Sequence, residues 1–439
     1  MKGSMVKRTL LLIFLALPCA GLGQATPTAT VQTYSSGLNL PPLNGSFQYG
    51  LSTSEIVGRG YSSSGGIYEQ TSISGEAAYT AKSEVRPFNL LYTGGVQLGG
   101  QSGYSNTAFQ SLAVSQGFVT RSWIFGLSDV VSYLPQSPTV GLSGIPGTGD
   151  IGFTPIQNGN NPSQNILSVG NSRVSNSVNG TIQRQLDAFT SISGGASHGI
   201  LRFLGNGGLD STQIVADIAV SRRIDARTSA SVSATYGTFN YTNLGDGASF
   251  ATRGLSASFQ RRLSRSLDVN VSGGPEWISS SSRLGIPSRL TFSAGAGLTY
   301  TVRVYSAGLT YSRGVNAGSG LQPGGISDSA VAFLQRPFGN TWSTSANLGY
   351  ARSRGLSNQQ TPASFVLLGL TNSGNYDSTY AGLQISRRIS RSFSAFTSYT
   401  AMDQSYSQLP VSPTALNGLV QSFAIGISYF PHSIHLGQL

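Results

Sequence analysis

The sequence predicts an all-β fold, a transmembrane antiparallel up-and-down β-barrel of about 16–18 strands. Three observations lead to it: alternating apolar and small polar residues, a low content of charge, and a turn motif that recurs. The alternation is clearest between 289 and 301, where one face carries Leu290, Phe292, Ala294, Ala296, Leu298 and Tyr300. Because successive side chains of a strand point to opposite faces, the other face holds only Thr, Ser and Gly from Thr291 to Thr301. A membrane barrel turns the apolar face to lipid and the polar face to its lumen.

Composition supports a membrane barrel rather than a set of soluble domains. Charged residues make up 10% of the 439 residues, against about 25% in typical soluble domains. A disordered Ser- and Gly-rich chain is the alternative, but 39% hydrophobic and 10% aromatic residues exceed what such a chain carries. No run of about 18 apolar residues predicts a spanning helix. The membrane prediction therefore depends on the β pattern, since a closed barrel satisfies every strand's backbone in hydrocarbon.

The N-terminal residues 1–23 are predicted to be a secretory signal peptide. A basic region precedes a short apolar run at 10–17 and small residues near the expected cleavage site; its basic residues are Lys2, Lys7 and Arg8. Cys19 is the single cysteine, and Pro18 before it disfavours the alternative of a lipid-anchored cysteine. After cleavage the chain holds no thiol for a disulfide or a metal site. Residues 24–43 are predicted to be a periplasmic lead-in.

The barrel itself is predicted to span 44–430, with a C-terminal tail at 431–439. Eighteen strands are expected, and sixteen stays open because strand boundaries from one sequence are loose. An even number places both ends of a bacterial barrel in the periplasm. The strands are expected near 45–51, 71–80, 87–99, 108–117, 121–133, 174–184, 187–198, 212–222, 227–239, 250–262, 266–278, 289–302, 304–313, 328–336, 341–351, 379–387, 392–402 and 418–430.

A motif of two arginines, an aliphatic residue and Asp or Ser recurs at 222–225, 261–264 and 387–390, each time with a further arginine soon after. These short turns alternate with longer loops such as 242–248 and 315–326. Barrels place short turns in the periplasm, so the arginines predict a positive periplasmic rim. Its members are Arg222, Arg223, Arg227, Arg261, Arg262, Arg265, Arg387, Arg388 and Arg391.

Charge leaves two interpretations of this rim open. The chain has a net charge of +11, with 27 basic and 16 acidic residues. The arginines either reach phosphates of the inner leaflet or form a positive mouth that favours anionic solutes or acidic polysaccharide. Nucleic acid is not an expected partner, because the arginines are spread over separate turns without a stacking platform.

Aromatic residues predict where the membrane begins and ends. Trp123 and Tyr133 share one face ten residues apart, and Trp342 and Tyr350 lie eight apart. Ten residues of a strand tilted by about 40° rise roughly 26 Å, the height of an apolar band between two aromatic girdles. The alternative is the aromatic core of a soluble β-sandwich.

The last strand carries another signature of outer-membrane barrels. Phe423, Ile425, Ile427 and Tyr429 are expected to face outward, with Phe430 beside them. This resembles the C-terminal strand that such barrels present to the barrel assembly machinery. The usual pattern ends on the aromatic residue, whereas nine residues follow Phe430 here.

Turns such as Arg-Arg-Leu-Ser-Arg-Ser at 261–266, together with strands such as that starting at 392–396, resemble a family of outer-membrane β-barrel porins often linked to exopolysaccharide loci. The resemblance covers roughly 45–430. It implies a channel in the bacterial outer membrane, in contact with lipid and lipopolysaccharide. It also raises the export of exopolysaccharide as an alternative to the diffusion of polar or anionic solutes. A structural or adhesive barrel with a plugged lumen is the third alternative.

The sequence offers few candidate catalytic or metal-binding residues, and no enzyme activity, cofactor or metal is predicted. His198 is expected near the outer end of a strand, where a hydrolase histidine would need a partner such as Ser197 or Asp210. No spacing singles these residues out.

The segment from Leu134 to Arg173 is the longest without a strand pattern. A loop of about 40 residues usually has a role, and porin-type barrels commonly fold their third loop into the lumen. We therefore predict a constriction loop, with a mobile external loop as the alternative. Its candidate residues are Ile145, Asp150, Phe153 and Ile156.

Overall fold

Eighteen strands form one antiparallel sheet that closes on itself, so the predicted fold class and strand number are confirmed. The structure is a computed structural model. It describes residues 46–60, 67–81, 83, 85–99, 106–134, 172–204, 208–302, 304–318, 322–357, 374–406 and 418–431. The predicted signal peptide, lead-in and most of the C-terminal tail lie outside these ranges.

The strands follow the sequence in order around the barrel. They are β1 Ser46–Arg59, β2 Ile67–Ala81, β3 Phe88–Leu98, β4 Thr107–Val119, β5 Trp123–Leu134, β6 Ser172–Gln185, β7 Thr190–Leu204, β8 Ser211–Arg223, β9 Thr228–Tyr241, β10 Ser249–Arg262, β11 Leu267–Ile278, β12 Arg289–Val302, β13 Tyr305–Asn316, β14 Gly325–Phe338, β15 Trp342–Gly355, β16 Asn375–Arg388, β17 Phe393–Tyr406 and β18 Gly418–Tyr429. A short 3₁₀ turn follows β9 at Thr242–Leu244. Among the described residues, no helix is long and apolar enough to cross a membrane.

Closure comes from β1, which pairs with both β2 and β18. Leu51 lies opposite Gly75 on one side and opposite Tyr429 on the other. Gly50 allows this seam to close, because the Phe430 ring lies where a side chain would start: a Cβ at residue 50 would come within 1.9 Å of it. The sheet therefore has no free edge along its seam.

The exterior is apolar, as the alternation predicts. On β18, Phe423, Ile425 and Ile427 are 50%, 59% and 51% exposed, while Ser422 and Ser428 on either side of them are buried on the inner face. An exterior with this much exposed apolar surface is unfavourable in water. It fits the hydrocarbon of a bilayer.

Short turns gather at one end of the barrel, which we call the turn end; the other is the loop end. Turns at 186–189, 224–227, 263–266 and 389–392 all lie at the turn end, together with both ends of the barrel domain. This arrangement matches the predicted alternation of short turns and long loops. We expect the turn end to face the periplasm.

At the loop end, two equal triads lie on the exterior face: Tyr311, Arg313, Asp328 and Tyr350, Arg352, Asp377. Each tyrosine hydroxyl donates to its aspartate over 2.8 Å, and each arginine forms an ion pair with the same carboxylate. Arg352 is ten residues from Trp342 on β15, which corresponds to a rise of roughly 26 Å. These triads therefore mark the upper edge of the apolar band, near the predicted girdle.

The recurrent turn motif links neighbouring turns. The backbone N–H of the second arginine donates to a carbonyl of the preceding short turn: Arg223 to Phe189 and Arg262 to Arg227, both over 2.8 Å. Arg388 makes the same bond to Thr341 over 2.7 Å. Each bond extends the sheet ladder by one step past its strands. The motif thus completes the backbone pairing of the turn end.

The fourth residue of the motif caps its own turn. Asp225 Oδ1 accepts the N–H of Arg227 over 2.6 Å, and Ser390 Oγ accepts the N–H of Phe393 over 3.1 Å. The backbone N–H of Arg227 holds the pKa of Asp225 below its ordinary value, with the hydroxyl of Thr228 and the charge of Arg261 acting in the same direction. Asp and Ser serve here because both place an acceptor oxygen beside the turn.

We predict that Asp225→Ala lowers the temperature at which the folded barrel unfolds in SDS, whereas Asp225→Ser, which copies the cap at residue 390, leaves it nearly unchanged. The Asp225 pKa is depressed in the folded state, so its contribution is complete above the ordinary aspartate pKa of about 3.9. It is lost as the pH falls through the lower folded value. The deficit of Asp225→Ala should therefore shrink as the pH falls below the ordinary aspartate pKa and disappear once the folded-state carboxylate is protonated. Equal melting of both variants at pH 7 would contradict the cap.

Candidate functional site

The inner wall is lined by small hydroxyl residues that bond across strands. Ser231 and Ser258 join β9 to β10 over 2.6 Å, and Ser312 and Ser329 join β13 to β14 over 2.7 Å. Such short side chains occupy little space. An 18-strand barrel lined this way is wide enough to hold an aqueous lumen.

The inner wall differs between its two sides. From β6 to β13, many lumen-facing residues are exposed: Thr181, Asp217, Thr235, Asn270, Ser272, Thr299, Thr301 and Thr310. From β15 through β18 to β4, lumen-facing residues are mostly buried, including Ser345, Asn347, Ser378, Gln384, Ser428, Ser52, Ser72 and Gln97. Water therefore reaches the wall mainly along β6 to β13. This accessible wall is the candidate functional surface.

Charge on the accessible wall is of both signs. Asp217 and Glu276 face the lumen in one row across the strands, since Asp217 pairs with Thr235 and Glu276 with Gly254, and these two partners pair with each other. Three strand spacings separate the two carboxylates by roughly 14 Å along the wall. Arg289 lies nearer the loop end, and its Nε and Nη2 atoms are buried without a hydrogen-bond partner in the described part of the chain.

A cluster of buried apolar residues lies at the loop end of the same wall; we call it the mouth cluster. It joins the ends of β8 to β15 with the loops between them. Its members are Leu209, Phe239, Tyr241, Ala248, Phe250, Ile278, Leu284, Ile286, Ala317, Ile326 and Leu356. Phe239 and Phe250 stack with ring centroids 4.8 Å apart. Aromatic residues thus replace the small hydroxyl residues where the lumen meets the outside.

The hairpin of β13 and β14 bends into this mouth. Its pairing with β12 ends at Arg313, although β12 continues to Arg289, whereas β13 and β14 stay paired to Asn316 and Gly325. The N–H of Val315 instead donates to the lumen-facing carboxylate of Glu276 on β11 over 3.4 Å. The hairpin therefore leaves its neighbour and crosses the inner face of the wall.

Two contacts fix the bent hairpin to the wall. The buried hydroxyl of Tyr241 on β9 donates to the carbonyl of Ala317 over 2.6 Å. Gly324, with a φ of +71°, lies against the ring of Phe250, where a Cβ would come within 2.8 Å. Only glycine combines this backbone conformation with such a close approach. The hairpin is therefore held against the inner wall at the loop end.

Other loops add to the mouth cluster. Ser357, after β15, donates through its hydroxyl to the carbonyl of Gly285 over 3.1 Å. Arg283 Nε donates to the carbonyl of Leu244 over 3.2 Å. Three loops that are far apart in the sequence are thereby joined. The mouth is a packed unit rather than a set of independent loops.

The predicted rim arginines divide between two faces. Arg222, Arg261 and Arg387 alternate with exposed apolar residues and lie on the exterior. The second arginines of the motif lie on the lumen face, where two of them bind the preceding turn: Arg223 donates to Ala188 and Arg388 to Asn340. Arg227, Arg265 and Arg391 are exposed in the turns. The role of this rim in attracting anions stays a prediction.

The structure does not bring the three candidate hydrolase residues together in one site. His198 lies on the exterior face of β7, opposite Ile214, while the adjacent Ser197 is buried on the lumen face. Asp210 forms an ion pair with Arg202 at 3.3 Å and accepts the N–H of Phe203 over 2.9 Å.

The predicted constriction loop lies outside the described residues, and so do its candidate residues Ile145, Asp150, Phe153 and Ile156. Its position in the lumen therefore stays a prediction. The bent β13–β14 hairpin was not expected from the sequence. Its signal was present, since Phe239, Tyr241 and Phe250 are large aromatic residues at positions where alternation predicts small polar ones.

No protein-family model and no curated protein matches this sequence. Among solved structures, the chain is similar to OccK2 (OpdF) of Pseudomonas aeruginosa, at 10% identity, with 89% of this chain and 98% of that chain covered and a TM-score of 0.44. It is similar to a BenF-like porin from Pseudomonas fluorescens Pf-5, at 11% identity, 88% and 99% coverage and a TM-score of 0.44. The FrpB iron transporter of Neisseria meningitidis aligns at 8% identity, 89% and 82% coverage and a TM-score of 0.42. Likeness this distant carries no argument about function.

We predict that Tyr241→Phe loosens the hairpin while leaving the barrel folded. Loss of a hydrogen bond worth about 1 kcal/mol corresponds to roughly fivefold faster local opening. Hydrogen–deuterium exchange of the backbone from 314 to 318 should therefore accelerate by about fivefold. Tyr236→Phe, on the exterior of the same strand, is the matched control. Unchanged exchange in Tyr241→Phe, or equal acceleration in both variants, would contradict the anchoring role.

Proposed function

We propose that this chain forms a passive channel in the bacterial outer membrane for small polar solutes, anions among them. The observation that carries the proposal is the accessible polar wall of β6 to β13 inside a closed barrel with an apolar exterior. Hydroxyl and amide groups along this wall replace part of the hydration of a passing solute. Nothing in the proposal requires energy or a catalytic residue.

In this proposal the mouth cluster limits which solutes enter. The bent hairpin occupies part of the loop end, so solutes pass beside it along the accessible wall. Constrictions of this kind select by size and by the polar groups that line them. Glu276, Asp217 and Arg289 are among the charged side chains that a solute would meet along this path.

Clearing the mouth tests the channel directly. We expect a triple variant, Phe239→Ser, Tyr241→Ser and Phe250→Ser, to raise the single-channel conductance in planar bilayers, because it removes the hairpin's anchors and widens the mouth. The control Phe259→Ser changes an exterior aromatic residue on β10 and should leave conductance unchanged. Heat-dependent migration in SDS verifies folding. A folded triple variant with wild-type conductance would contradict a role for the mouth cluster.

The same recording separates the alternatives. A wild-type barrel that conducts only after the mouth is cleared would be plugged, as a structural or adhesive barrel would be. An exopolysaccharide exporter would need the mouth to admit a chain of sugars. Loss of secreted polysaccharide in a deletion strain, with solute uptake intact, would favour export over diffusion.

Arginines on the lumen face are expected to set the ion preference. Replacing Arg223, Arg262 and Arg388 by Gln should lower the ratio of anion to cation permeability, measured as the reversal potential in a salt gradient. The matched variant of Arg222, Arg261 and Arg387 removes the same charge from the exterior and should change the ratio less. Equal shifts in both variants would indicate a general surface potential rather than a lumen-facing rim.

A further inference from the structure

Two tryptophan–arginine pairs lie on the exterior at the turn end. The guanidinium carbon of Arg184 lies 5.0 Å from the ring centroid of Trp123, and that of Arg387 lies 5.2 Å from the ring of Trp342. In both pairs the tryptophan opens a strand after a short turn, and the arginine lies directly opposite it on the next strand. The two sites therefore share one geometry, although ten strands separate them.

The stacked guanidinium groups keep their hydrogen-bonding edges free. Within the described ranges, neither Arg184 nor Arg387 donates a side-chain hydrogen bond or forms an ion pair. Stacking covers one face of the planar group and leaves its N–H donors, which lie in the plane. Such an edge matches the oxygens of a phosphate, which accept two parallel N–H bonds.

Arg336, on the exterior of β14, lies over the phenylalanine ring of Phe338 at 4.7 Å, but two other exterior arginines at this level lack an aromatic partner. Arg222 lies opposite Thr190 and Ala230, and Arg261 lies opposite Val269 and Thr228. Both sit near a turn carboxylate: the charge of Arg222 lowers the pKa of Asp187, after its backbone bonds, and Arg261 acts likewise on Asp225. These arginines have an anion of the protein nearby and no ring beneath them.

The level of the two pairs on the barrel identifies the anion. Trp123 and Trp342 begin their strands at the lower edge of the apolar band, where tryptophan sits between acyl chains and headgroups. The phosphodiester groups of phospholipids lie at the same depth. An exterior guanidinium at this edge therefore meets lipid phosphate before any other anion.

We propose that the Trp123–Arg184 and Trp342–Arg387 pairs are two binding sites for phospholipid headgroups. The guanidinium edge donates to the phosphodiester oxygens, and the indole packs beside the upper acyl chain. Occupied sites on opposite sides hold the turn end at a fixed depth. This proposal requires the barrel to be in a membrane and is independent of what passes through its lumen.

The test compares two double variants purified in a mild detergent from the same membranes. Native mass spectrometry counts phospholipids retained per barrel. We expect the wild type to retain up to two, and Arg184→Gln with Arg387→Gln to bind phosphatidylglycerol about tenfold more weakly, which corresponds to about 1.4 kcal/mol per site. Arg222→Gln with Arg261→Gln removes the same charge and should retain lipid like the wild type. SDS migration before and after heating verifies that each variant is folded.

Three further comparisons of lipid binding decide whether the proposal holds. Trp123→Leu with Trp342→Leu should also lose lipid if stacking orients the guanidinium, whereas retention there would overturn the role of the rings. Equal loss in both arginine variants, or equal retention, would overturn the proposal in favour of general surface charge or of no site. Displacement of the lipid by inorganic phosphate alone would indicate a free-phosphate site and would also overturn it.

Discussion

Closure of the backbone hydrogen-bond ladder is the constraint on which this structure depends. In hydrocarbon, every strand needs a partner on both sides, and the pairing of β1 with β18 removes the last free edge. Gly50 and Phe430 show how closely the sequence fits this seam. The turn motif serves the same end, because the second arginine of each copy extends the ladder into the preceding turn.

Closure with eighteen strands creates a second requirement. The lumen is too wide for wall side chains to fill, so the loops and bent hairpins must set the size of the passage. Here the β13–β14 hairpin leaves β12 and lies on the wall of β9 to β11. Its anchors, Tyr241 and Phe250, belong to strands that are distant in sequence, and the hydroxyl of Tyr241 reaches residue 317. The packing of the mouth thus depends on side chains that belong to the wall.

The sequence predicted the wall well because alternation is a local property. Each strand carries its own apolar and polar faces, so eighteen strands could be placed without knowledge of their neighbours. The hairpin could not be placed this way: 315–326 was predicted to be a loop, whereas β13 and β14 stay paired as far as Asn316 and Gly325. The aromatic residues at 239, 241 and 250 broke the pattern of the inner face beside the hairpin, and Phe109, Tyr380 and Phe396 broke it elsewhere on that face. The paired arginines divide between the two faces by the same alternation, because they are neighbours in the sequence.

The contact that holds the hairpin across the wall at the loop end can be measured directly. The single cysteine of the chain, Cys19, lies in the predicted signal peptide, so engineered cysteines give a clean measurement. Ala248→Cys with Ala317→Cys, two positions of the mouth cluster that leave Tyr241 and Phe250 in place, should be joined by a short bifunctional thiol reagent in intact membranes, whereas Tyr236→Cys with Ala317→Cys should not. Joining of the first pair alone is the predicted result. Failure of the first pair to join in a folded barrel would contradict the account.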